Sequence, residues 1–152
     1  MQDADLLAAA DALADEKRPD DAAALFERAS ARDRIGMEAE AERFYRQALG
    51  TGRLDAYRSS RASIQLASTL RILGRMQESE QLLVSELDRH MQAGHSRALH
   101  DEARAILALT YLAQGRSVEA AGLALIVLAP HLTRYNRSVS ANAAELVTQA
   151  WV

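Results

Sequence analysis

The chain has 152 residues, no cysteine, only two prolines and a formal net charge of −3. Its length suits one domain with a real core, and the missing cysteine excludes a disulfide framework, a thiolate metal site and a cysteine nucleophile. Abundant alanine and leucine favour an all-α chain; no apolar run reaches the ~18 residues of a membrane span, and Met-Gln-Asp-Ala-Asp lacks the basic start of a secretory leader, so a cytoplasmic protein is expected.

In chain order, the apolar spacing predicts eight helices. The first, over 3–15, puts Leu6, Leu7, Ala10 and Leu13 on one side, and Lys17-Arg18-Pro19-Asp20 breaks it. Pro19 and Asp20 suit the start of the second, over 21–34, which carries Leu25, Phe26 and Ala29 and ends at Gly36. The third, 37–49, carries Ala41, Phe44, Tyr45, Ala48 and Leu49, and Gly50-Thr51-Gly52 stops it. Asp55 caps the fourth, 56–73, whose apolar face is Leu66, Leu70 and Leu73; Gly74 closes it. The fifth, 76–92, buries Leu82, Leu83 and Leu87 and stops at Gly94. Ser96 caps the sixth, 97–114, ended by Gly115, and Ser117 caps the seventh, which runs to 129. Pro130 and Asn136 mark a break before the eighth, 137–151. Eight helices with short loops make an α-solenoid or bundle pattern.

The chain also repeats itself. Gly36, Gly74 and Gly115 lie 38 and 41 residues apart. Seven residues before each stands alanine (Ala29, Ala67, Ala108), four after each glutamate (Glu40, Glu78, Glu119), and five after each a small residue (Ala41, Ser79, Ala120). A glycine that takes φ > 0 ends one helix, the glutamate complements the dipole of the next, and the small residues let the two axes approach.

These positions resemble the tetratricopeptide repeat family. Leu66-Ala67, Leu70 and Gly74 match the first half of its pattern, as do Leu107-Ala108, Tyr111 and Gly115. The second half is clearest in Ala41, Tyr45 and Ala48; it recurs more loosely as Ser79, Leu83, Glu86 and as Ala120, Ala124, Val127, and also as Ala22, Phe26, Ala29. The resemblance covers 20–132, with a period longer than the usual ~34 and without the first-helix tryptophan. Whole-chain resemblance is to small bacterial members with three long repeats. It implies a right-handed α-solenoid of antiparallel helix hairpins: one domain over 1–152, with an N-terminal helix (1–19), three repeats (20–132) and a C-terminal capping helix (133–152). It also implies a non-enzymatic scaffold that holds a peptide or protein in a concave groove lined by the second, fourth and sixth helices.

On the fourth helix, Arg58, Arg61, Gln65 and Ser68 fall within ~80° of one another, away from Leu66 and Leu70. A shift back by one repeat reaches Glu27, Ser30 and then Arg34; a shift forward reaches Glu102, Ile106 and Leu109. The expected contact set is therefore Arg34, Arg58, Arg61, Gln65, Ser68, Glu102, Ile106 and Leu109. It suits a partner with an acidic group beside apolar side chains. The same row also fits a solvated face, or one paired with the acidic residues of the first 42, which carry 12 acidic and 5 basic side chains.

The seventh helix is apolar all round and reads as buried on both sides. The eighth covers part of it through Ala143, Ala144, Val147 and Trp151. What remains open, with Leu125, Leu128 and Trp151, suits a homodimer. A third reading is nucleic-acid binding through 43–75, which holds seven arginines against Asp55 alone; the pI of 5.8 and the lack of a stacking aromatic on the row other than Tyr57 speak against it. His90, His95 and His100 are five apart, a poor spacing for zinc on one helix. No phosphate loop, nucleophile elbow or H-E-x-x-H occurs, so neither an enzyme, a cofactor nor a metal is expected.

Overall fold

The computed structural model describes residues 3–92 and 97–147, with side chains from residue 4 onward. All regular structure among them is helical: α1 Asp3–Asp15, α2 Ala22–Arg34, α3 Glu38–Gly50, α4 Ala56–Ile72, α5 Met76–His90, α6 His100–Ala113, α7 Ser117–Leu128, a 3₁₀ turn Ala129–His131, and α8 Asn136–Ala144.

The helix ends follow from local chemistry. Gly36, Gly74 and Gly115 have φ near 80°. At each, two N–H groups return to the helix just ended: Gly36 to Asp33 O and Met37 to Arg32 O, Gly74 to Arg71 O and Arg75 to Leu70 O, Gly115 to Leu112 O and Arg116 to Tyr111 O, at 2.9–3.3 Å. This paired closure needs a left-handed residue, and glycine adopts it without steric cost. At the other ends, Asp21 accepts from Ala24 N (2.9 Å) and Asp55 from Arg58 N (2.8 Å).

Some boundaries differ from the expected ones. Asp21, rather than Pro19-Asp20, caps α2: its N–H closes a turn onto Arg18 O at 2.9 Å and the first helical residue is Ala22, while Asp20 binds Arg53. Gly50 is the last residue of α3, and the left-handed turn falls at Gly52. Arg116 occupies the cap position before α7, where Ser117 was expected to act. Ser96 lies outside the described residues. Helix α8 is shorter than the periodicity predicts, since Ala144 is its last helical residue.

The chain forms two units, Met1–Arg75 and Met76–Val152. In the first, α1 packs on α2, α2 on α3 and α3 on α4. Its core is Phe26, Ala29, Ala41, Tyr45, Ala48, Leu66, Ala67 and Leu70. In the second, α5 packs on α6, α6 on α7 and α7 on α8. There Ser79, Leu83, Leu87, Leu107, Ala108, Tyr111, Ala120 and Leu123 are buried. The positions that repeat in sequence are thus the ones that fill the core, with small residues where helix pairs come together.

Polar ties repeat with the same period. Thr69 Oγ1 donates to Asp33 Oδ1 at 3.0 Å, and Thr110, 41 residues on, bonds Ser79 at 3.0 Å. Arg75, just past one turn glycine, holds both oxygens of Glu42 at 2.7 and 2.8 Å. Arg116, just past the next, reaches Glu80 at 2.7 Å and Glu119 at 2.5 Å while its guanidinium lies 3.7 Å from the Tyr111 ring centre.

Helix α7 corrects the expectation of burial on both sides. Leu123 and Gly122 are buried, but Val118, Ala121, Ala124, Leu125 and Leu128 are exposed. The covering helix is only nine residues long and packs on the Gly122 side. Leu13 and Leu73, expected on buried faces, are 65% and 37% exposed.

Candidate protein-binding groove

In the first unit, α1, α2 and α4 line a half-open cavity of about 760 Å³. Helix α1 forms because an alanine-rich run with few breakers favours it, and it is fixed to α2 by charge. Asp11 accepts two bonds from Arg32 (3.0 and 3.1 Å) and pairs with Arg28 at 3.0 Å; Arg28 also binds Asp15 at 2.7 Å. Arg32 is 8% exposed, pairs with Glu40 at 3.0 Å and lies 4.7 Å from the Phe44 ring centre. The Arg32 guanidinium holds the Asp11 carboxyl below its ordinary range, and Asp11 raises Arg32 in return.

Leu6, Ala9, Ala10 and Leu13 form the α1 wall; Arg61, Gln65, Ser68 and Ile72 form the α4 wall; Ser30, Asp33 and Arg34 contribute from α2. Each wall is one stripe of a helix, at steps of three and four. Arg34 and Arg61 are exposed and form no ion pair among the described residues. The Arg61 guanidinium sits 5.2 Å from the Phe26 ring centre. Gln65 Oε1 is buried without a hydrogen-bond partner among the described residues, an acceptor open to an incoming N–H. Asp33 is occupied, accepting from Thr69 and from Tyr45 Oη at 3.3 Å; burial raises its carboxyl above the usual range. The cavity therefore presents two cations without ion pairs, Arg34 and Arg61, one carboxylate without an ion pair among the described residues, Glu27, the open acceptor of Gln65 and an apolar rim of Leu13 and Ile72.

Four of the expected groove residues, Arg34, Arg61, Gln65 and Ser68, line this one cavity. Arg58 does not; its guanidinium binds Asp55 at 2.7 Å in the first turn of α4. On α6, in the second unit, Glu102 and Leu109 are exposed and Ile106 is half-buried. Leu125 and Leu128 are exposed on α7, and Trp151 lies outside the described residues. The α1 wall escaped the sequence reading, because Asp11 and Arg32 are 21 residues apart and no spacing rule links them.

Most arginines of the basic segment are already paired: Arg46 and Arg75 with Glu42, Arg53 with Asp20, Arg58 with Asp55. Among the described residues, no group of three or more His, Cys, Asp and Glu side chains is placed to hold a metal ion, and no helix is long and apolar enough to cross a membrane.

Among curated proteins and solved structures, nothing matches the chain significantly. A family model described as tetratrico peptide repeat matches residues 22–146, from the start of α2 to just past α8. With all-helical architecture and turn glycines recurring at the hairpin ends, the chain belongs to the tetratricopeptide repeat family.

Proposed function

We propose that this protein is a non-enzymatic, cytoplasmic interaction module that holds a peptide segment of a partner in the α1–α2–α4 cavity. The family's general role in protein–protein interaction supports the class. The single observation that carries the site is the convergence of unpaired Arg34 and Arg61 with the open acceptor of Gln65 beside exposed Leu13 and Ile72. Arginine forks recognise carboxylates, and apolar side chains beside them add buried area. The partner segment thus carries Asp or Glu next to Leu, Ile or Phe. On the first unit Arg58 stays in the proposal as an outlying contact; on the second unit Glu102, Ile106 and Leu109 are proposed as partner contacts in their own right. Selection of a displayed random-peptide library on the whole protein tests this. Enrichment of acidic–apolar motifs is expected, with affinity falling about tenfold or more for Arg34→Glu/Arg61→Glu. Motifs without acids, or equal binding by the double variant, would sink the idea.

A second reading rests on the exposed α7 stripe. Val118, Leu125 and Leu128 are 61%, 38% and 47% exposed, with Ala121 and Ala124 among them and no charged side chain on that stripe. A second copy of the chain would cover it. Light scattering is expected to show a dimer that Leu125→Glu converts to a folded monomer. A wild-type monomer at high concentration ends this reading. Nucleic-acid binding is the weakest of the three, since pairing leaves few free cations in 43–75 for phosphate.

A further inference from the structure

Where α5 ends and α6 begins, three ionisable side chains are buried in a row. Glu86, His90 and His100 are 2%, 2% and 6% exposed. His90 Nε2 lies 3.0 Å from Glu86 Oε1, and His90 Nδ1 lies 3.3 Å from His100 Nδ1. The two rings are tilted by 50°, with centres 5.5 Å apart. Glu86 Oε2 is 3.2 Å from Arg89 Nη2 at the outer end of the row. His100 Nε2, at the inner end, is buried without a hydrogen-bond partner among the described residues.

This geometry fixes the proton count. The Glu86 carboxylate accepts from His90 Nε2–H, so His90 Nδ1 can only accept and His100 donates its Nδ1–H to it, which leaves His100 Nε2 as the bare nitrogen. A further proton therefore enters at His100 Nε2, where it sets a positive charge and an N–H with no acceptor among the described residues in a buried site. We infer that the Glu86–His90–His100 row is an acid-released clasp, which ties the end of α5 to the start of α6 at neutral pH and lets go when a further proton enters.

The surroundings favour release at His100. From α6 itself it faces Asp101 and Arg104, from the preceding segment Arg97, and from α5 His90 with Glu86 and Arg89 behind it. On α7, the other helix packed against α6, the ionisable side chain is Glu119, which is committed to Arg116. Among the described residues facing it, Asp101 and Glu86 are the carboxylates that oppose the three arginines, and Arg104 is itself paired with Asp101 at 3.5 Å. Burial, then Arg104 and Arg97, lower the His100 pKa from 6.5 to about 4.

The sign follows from that depression. The unfolded chain binds the proton at a higher pH than the fold does, so stability is full above about 6.5 and declines as pH falls toward about 4. His100 alone should raise the unfolding constant about twentyfold between pH 7 and pH 5.

Urea unfolding of the full chain at pH 7 and pH 5 reads this, comparing wild type with His100→Asn, whose amide keeps a donor near His90, and with His131→Asn on an exposed site. The proposal expects the pH-dependent loss to shrink about twentyfold in His100→Asn and to stay unchanged in His131→Asn. Equal pH dependence in wild type and His100→Asn overturns it. Should His100→Asn not fold, an NMR titration of the histidine ring protons in wild type decides. One buried ring that stays neutral to about pH 4 supports the clasp, and all rings titrating near 6.5 refute it.

Discussion

Replacing Arg32 by methionine is expected to unfasten α1 and destabilise the first unit by about 2–3 kcal/mol. The side chain keeps its apolar stem over Phe44 but loses Asp11, Glu40 and the backbone oxygen of Arg28 together. Removing one member of a buried pair normally costs more, but Asp11 and Glu40 are 35% and 48% exposed at the side chain, so water takes over part of their solvation. Asp11→Asn with Arg32→Met should cost less than the sum of the two single changes, since both break the same bond. The Asp11 carboxyl titrates below its ordinary value in the fold, so its contribution is present above pH about 3.8 and is lost as pH falls below that. Urea unfolding followed by helix content measures the loss. A cost below about 0.5 kcal/mol for Arg32→Met would mean that apolar packing alone holds α1.

Gly122→Ala should destabilise the second unit although alanine is the better helix former. In an open helix the change gains about 1 kcal/mol. Here the new methyl would sit 2.6 Å from Val147 Cγ2, 2.9 Å from Leu146 Cβ and 3.1 Å from the Ala143 oxygen. Val147 is buried and the Ala143 oxygen is backbone, so neither moves aside freely. The helix α8 must shift away from α7, for a net loss of about 1–2 kcal/mol. Val147→Ala in the same chain makes room, so the double variant should recover part of the loss. Thermal melts of the four chains form the cycle. If Gly122→Ala raises the melting temperature, the close packing of α8 on α7 is wrong.

The repeat was legible because its signals are local. A glycine with φ near 80°, a glutamate in the next turn and small residues at fixed offsets all lie within a dozen residues of one another, where spacing carries information. The left-handed closures at Gly36, Gly74 and Gly115 and the buried Ala29, Ala67 and Ala108 follow from it. What the sequence hid was contact between distant segments. The Asp11–Arg32 bond that fixes the groove wall has no spacing signature. The break expected at Gly94 already puts His90 and His100 on different helices, but spacing along the chain does not say that those helices fold back to bring the two rings together. The α7 sequence identified an apolar helix but gave no measure of its cover. Hydropathy does not say that the helix laid on it is nine residues long.

The evenly stepped polar ties also govern how the chain is made. Arg75–Glu42, Thr69–Asp33, Ser79–Thr110 and Arg116–Glu80 join residues 33, 36, 31 and 36 apart in sequence. Each tie needs only about one hairpin of further chain to complete its pair, and none requires the far end of the chain. Such short-range wiring favours rapid folding and suits a chain that emerges N-terminus first, since the newest segment always meets a partner already in place. By residue 75 the growing polypeptide holds both members of the Arg75 and Thr69 ties, so the first unit carries its own fastenings before the second exists.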